Sequence, residues 1–113
     1  LKDVGVPVIN FSTGTSTMLD LVQKAGGDVL SFDWRIEIDS ARTVLGSDQP
    51  VQGNLDPVTL FAPLPVIEER VHDILKRAGG RGHIFNLGHG ILQHTPVEHV
   101  KAVVEMVHEY KYE

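Results

Sequence analysis

Along this chain, short β-branched apolar runs alternate with segments whose apolar residues recur at helical spacing, and polar, glycine-containing turns separate the two. The alternation occurs four times. Val6 to Phe11 predicts a first strand, and Met18, Leu19, Val22 and Ala25 mark a helix stripe that Gly26-Gly27 ends. Val29 to Phe32 predicts a second strand, followed by a helix through Ile36, Ile38, Ala41 and Leu45 that stops at Gly46. Val51 to Leu55 is the third strand. Asp56-Pro57 then starts a turn, and Pro65 sits in the first turn of a helix whose Ile67, Val71, Ile74, Leu75 and Ala78 form one apolar stripe, with Gly79-Gly80 as its stop. The fourth unit runs from His83 to Leu87 and into a helix that opens Thr95-Pro96-Val97-Glu98. Thr95 at the cap with Glu98 reaching back is a capping-box pattern, and Val97, Val100, Val104 and Val107 predict the apolar face.

Strands alternating with helices imply an α/β fold with a parallel sheet and right-handed crossovers. Two architectures meet that description. A doubly wound sheet carries helices on both faces, whereas a singly wound one carries them all on one side and leaves the other to be covered. In a closed (β/α)8 barrel the opposite strands provide that cover, but such a barrel takes roughly 250 residues. Four βα units are half of one. Ligands gather at the C-terminal ends of parallel strands in both architectures, so the residues to weigh are Ser12, Thr13 and Gly14, then Asp33, Trp34 and Arg35, then Asn54 and Asp56, and finally His89.

Composition narrows the classes. With 113 residues, 42% hydrophobic and 22% charged, the chain is ordinary material for one small globular domain. A formal charge of −5, spread along the chain, gives no reason to expect nucleic acid or an anionic membrane as partner. The absence of cysteine excludes disulfides and thiolate nucleophiles and fits a reducing compartment. No apolar run approaches the roughly 20 residues that span a bilayer, so a cytoplasmic protein is expected. A start at Leu1 rather than Met suggests processing or a piece of a longer protein.

Each candidate has a plain structural alternative. His89, between Gly88 and Gly90, either bonds a loop carbonyl or projects into a cleft, where it donates to or pairs with a carboxylate. The glycines allow a tight turn there. Asp33 and Arg35 flank Trp34 and read as an ion pair at the cleft rim. Asp56 reads as a cap on the turn that Pro57 continues, and Asn54 as either a ligand contact or a loop residue. Thr13 to Thr17 has the look of a phosphate cradle before a helix, yet with one glycine and no GxGxxG or GxxxxGK[ST] it reads as a helix cap. His89, His94 and His99 recur every five residues and do not share a helix face, and no HExxH occurs, so no metal site is expected.

Two stretches, Val51-Gln52-Gly53-Asn54-Leu55-Asp56-Pro57 and Phe85-Asn86-Leu87-Gly88-His89-Gly90-Ile91, resemble the C-terminal third of the uroporphyrinogen decarboxylase family. Pro7-Val8-Ile9, Ala25-Gly26-Gly27, Asp33-Trp34-Arg35, and Thr95-Pro96 with Val100-Lys101-Ala102 support the resemblance, in the family's order along essentially the whole chain. Thr13, where many members carry a basic residue, and Gln93-His94, where Pro-Glu is common, depart from it. The resemblance implies the C-terminal half of a (β/α)8 TIM barrel, with residues 1–113 forming one partial domain. It implies decarboxylation of the four acetate side chains of uroporphyrinogen III to coproporphyrinogen III, with no metal or organic cofactor. Of the family's substrate-pocket positions only His89 is matched, as a group that binds a substrate carboxylate. The family's pocket aspartate, arginines, tyrosine and serine have no counterpart here, so no catalytic residue is assigned within the chain.

The expectation is therefore a carboxy-lyase segment of haem biosynthesis, inactive by itself. Its full-length parent is expected as a homodimer, and the isolated segment, with an apolar sheet face and two open edges, is expected to self-associate. Competing readings are a flavodoxin-like module binding phosphate or nucleotide at Thr13 to Thr17, which needs helices on both faces; a cobamide-dependent methyltransferase relative, which the lack of cysteine disfavours; and a non-catalytic homologue used for interaction.

Overall fold

The computed structural model describes residues 4–14 and 17–112. Strand β1 spans Ile9–Phe11, helix α1 Leu19–Ala25, β2 Val29–Ser31, α2 Ile38–Leu45, β3 Val51–Gln52, α3 Leu64–Ala78, β4 His83–Ile84 and α4 Val97–Glu109. A 3-10 turn over Pro57–Phe61 links β3 to α3. The strands pair in parallel in the order β1-β2-β3-β4, and each helix contacts the next in sequence.

That order carries the architecture. Right-handed crossovers that step the same way each time leave every helix on one side of the sheet. A doubly wound sheet needs a point where the stepping reverses, and none occurs among the described strands. The flavodoxin-like alternative therefore falls. Residue parity agrees, because strand side chains alternate between faces. Leu30 pairs with Val51, both are buried in the core with the apolar stripes of α2 and α3, and Asn10, opposite Leu30, reaches α1 to donate to the Gly26 carbonyl at 3.1 Å. On the other parity Ile9, Phe11 and Ile84 remain 47%, 47% and 46% exposed. One face of the sheet is a core, and the other carries exposed Ile9, Phe11 and Ile84 around a Gln52-to-Ser31 side-chain hydrogen bond.

Helix α3 is the beam of the layer. Its Ile67, Val71, Ile74, Leu75 and Ala78 are buried as the stripe predicts, the larger ones stabilising the fold by about 1.5–3 kcal/mol each. Gly79, left-handed at φ 79°, closes the helix by donating its N–H to the Leu75 carbonyl.

Four expectations need correction. The strands are shorter than their apolar runs: Val8 gives its N–H to the Asp28 carboxylate, and pairing of β3 is interrupted at Gly53, whose φ is +135°, before resuming as a lone bridge between Leu55 and Leu87. Helix α2 starts at Ile38, leaving Ile36 in the preceding loop. The capping box of α4 does not form, because the Thr95 hydroxyl turns back to donate to the Leu92 carbonyl at 2.6 Å and Pro96 becomes the cap residue. The inward face of α4 is Val100, Val103, Met106 and Val107, while Val97 and Val104 are exposed. Among the described residues no helix is long and apolar enough to cross a membrane.

Candidate functional site

The loops that leave the C-terminal ends of the strands meet on Asp33. Its carboxylate is 2% exposed and is the acceptor for three loop groups. Oδ2 takes the Gly14 N–H from the loop after β1 at 2.6 Å and the Arg35 guanidinium at 2.5 Å, while Oδ1 takes the Arg35 backbone N–H at 3.0 Å. Burial alone would raise the Asp33 carboxyl, but these donors and the adjacent guanidinium charge outweigh it and hold the group below its ordinary value. The Asp33 carbonyl in turn accepts from Asn54, after β3, at 2.9 Å. Asn54, 5% exposed, also donates to the Ile36 carbonyl at 2.5 Å.

The loop after β4 closes on the same point. Gly88 donates to the Leu55 carbonyl at 2.6 Å, and a Cβ there would stand 2.6 Å from the Trp34 nitrogen, 3.0 Å from the Asp33 carbonyl carbon and 3.2 Å from the Asn54 oxygen. Only glycine lets the chain pass this close. The chain bends at Gly88 and His89 as expected, but neither Gly88 nor Gly90 has positive φ, and a Cβ on Gly90 would meet nothing within 4 Å. Glycine is required at position 88 for close approach.

His89, the next residue, is exposed. Its ring meets Trp34 edge-on, with centroids 6.1 Å apart and planes at 80°. The guanidinium carbon of Arg35 lies 4.6 Å from the Trp34 ring centroid, a cation–π contact. The mouth thus presents an imidazole and a guanidinium on one indole, above a buried carboxylate that ties the loops together.

The remaining sequence candidates separate cleanly. Asp56 accepts from the Val58 N–H at 3.0 Å and caps the 3-10 turn. Asn54 is buried and its amide nitrogen is taken up in loop-to-loop bonds. In the proposed phosphate cradle, Thr15 and Ser16 lie outside the described residues, and the Gly14 N–H that would greet an anion is already held by Asp33. The stacking of Arg35 on Trp34 was not foreseen, since adjacent positions carry no periodic signal; an aromatic flanked by an acid and a base was the only hint.

A protein-family model described as uroporphyrinogen decarboxylase matches residues 1–110. Among curated relatives, a uroporphyrinogen decarboxylase of Carboxydothermus hydrogenoformans is 57% identical over 110 residues, which cover 96% of this chain and 31% of that protein. That of Solibacter usitatus is 56% identical over 112 residues, covering 98% and 32%, and that of Chloroflexus aurantiacus 55% over 111 residues, covering 97% and 31%. The chain spans about a third of the length of the curated relatives it matches.

Proposed function

This chain belongs to the uroporphyrinogen decarboxylase family, and on that premise we propose that it is the C-terminal half-barrel of a carboxy-lyase that converts uroporphyrinogen III to coproporphyrinogen III in haem biosynthesis. The observation that carries the reading is the exposed His89 imidazole at the C-terminal pole of a sheet whose helices all lie on one face. The bare face with Ile9, Phe11 and Ile84, and the unpaired edges of β1 and β4, are what further parallel strands of a barrel would cover.

The reaction asks little of a cofactor. A proton added to a pyrrole ring carbon makes the ring an electron sink; the bond from the acetate methylene to its carboxylate breaks, CO2 leaves, and the electron pair passes into the ring. A second proton on the methylene carbon then completes a methyl group while the ring proton is lost. Within this chain His89 holds a substrate carboxylate through a ring N–H, and Trp34 holds the imidazole edge-on. The proton donors come from outside the chain, so the segment alone is inactive and associates through its open face. The parent works in the cytoplasm as a homodimer.

The test is turnover of uroporphyrinogen III by the full-length parent, followed by chromatography of the oxidised porphyrins. Coproporphyrinogen accumulates with the parent and not with the isolated segment. His89→Ala in the parent lowers kcat/KM by about tenfold, the scale of one hydrogen bond to a charged group, without moving the unfolding midpoint. Turnover by the segment, or full activity without the imidazole, contradicts the assignment.

A further inference from the structure

The mouth holds a second group suited to an acid. We propose that Arg35 binds a substrate carboxylate beside His89, with Asp33 acting behind it as a positioning residue; this rests on the function proposed above. Among the described residues the arginines with recorded polar contacts are engaged in different ways. Arg77 is shared among Asp73, Asp39 and Glu37, and Arg42 is spent on the carbonyls of Ala78, Arg81 and Gly82. Arg35 has one acidic partner among the described residues, Asp33, reached through Nη1 alone. Its side chain remains 50% exposed while that of Asp33 is 2% exposed.

This geometry separates the two charges. The carboxylate lies beneath, with both oxygens already accepting hydrogen bonds, so it does not meet an incoming acid at the surface. The guanidinium lies above, one face on Trp34, and has N–H donors beyond the one that Asp33 takes. A planar fork already fixed by an indole and a carboxylate loses little freedom when it grips a second carboxylate bidentately. Because Asp33 balances its charge, Arg35 contributes aimed donors rather than long-range attraction. The shared indole places this fork and the His89 ring on one ligand, which fits a tetrapyrrole carrying several acidic side chains.

The experiment is steady-state kinetics of the full-length parent with uroporphyrinogen III. Arg35→Gln raises KM about fivefold and leaves kcat within about twofold, as expected for loss of a ground-state contact. Arg35→Lys, which keeps charge but loses the fork and the stack, recovers only part of the affinity. The Asp33→Asn/Arg35→Gln double variant removes the buried charge that the single variant strands, and its KM stays raised. If the double variant restores KM, or if Arg35→Gln leaves KM unchanged in a parent that turns over substrate, Arg35 serves only the loops and the inference is wrong. A wild-type parent that makes no coproporphyrinogen removes both this inference and the function it rests on.

Discussion

Two histidines, one at the start of strand β4 and one past its end, meet opposite surroundings. His83 opens β4, pairs with Val51, and its Nε2 lies 2.7 Å from the Gly53 carbonyl. A carbonyl only accepts, so Nε2 carries the proton and the ring is consumed by backbone. His89 follows the strand's other end, exposed against Trp34. The two arginines repeat the contrast. Arg42 spans the far pole to bind three carbonyls at the end of α3 and the turn after it, whereas Arg35 at the mouth keeps half of its side chain in solvent. Residue type does not distinguish these pairs. What distinguishes them is whether the backbone has already taken the polar atoms, and that is decided by which pole of a parallel sheet the residue occupies.

The strongest way to break the contrast is at Arg42. Arg42→Ala removes the guanidinium donors from the Ala78 and Arg81 carbonyls, leaves the Gly82 carbonyl with the Val51 N–H alone, and costs about 3 kcal/mol of stability, read by urea unfolding of the full-length parent, while KM for uroporphyrinogen in the folded protein stays unchanged. A shift in KM of the same size as that of the mouth variants would mean that the poles are coupled and not distinct. Gly88→Ala is next. Its Cβ meets backbone of Trp34, Asp33 and Asn54, atoms that cannot swing aside, so overpacking costs about 2 kcal/mol and displaces His89, lowering activity as well. Gly90→Ala has open space and an unstrained φ and stays within about 0.5 kcal/mol of wild type. Equal penalties at the two glycines would show that the turn, and not the close approach, needs them.

Local patterns made the order of the βα units legible, because apolar periodicity and glycine stops are written in consecutive residues: the α3 stripe, the Gly79 stop and the Asp56 cap all stand where spacing put them. The place of His89 followed from the same reading, since a residue after a parallel strand can only be at the C-terminal pole. What failed was decided by partners distant in sequence or by competition at short range. Thr95 donates to the Leu92 carbonyl three residues back and does not accept an N–H from the helix it was expected to cap. Val97 and Val104 fit an apolar stripe, but the surface beneath α4 reaches Val103 instead. The burial of Asn54 depends on Asp33 and Ile36 of one loop and Gly88 of another, and nothing in its neighbours announces two loops closing over it. Arg42 finds its carbonyls 36 to 40 residues away, beyond any periodic signal.

The smallest effect concerns His83, and its sign follows from its setting. Burial disfavours the charged ring, the Gly53 carbonyl opposes that in part, and the Arg42 charge adds to it, so the pKa in the folded protein lies below the ordinary 6.5. The unfolded chain then binds more protons than the folded one as pH falls through 6.5. Stability supplied by the neutral ring is therefore complete above that value and is lost progressively below it, toward the lowered folded pKa. Asp33 runs the same way, its loss beginning only near 3.8 as pH falls, below the pH range in which the His83 comparison is made. Unfolding midpoints of the parent compared at about pH 7.5 and about pH 5.5 should fall further for wild type than for His83→Gln, which keeps a donor to Gly53 and cannot titrate. Identical falls would mean that the far-pole ring charges freely in the folded state, and the distinction between a histidine held by backbone and one left for a ligand would lose its physical basis.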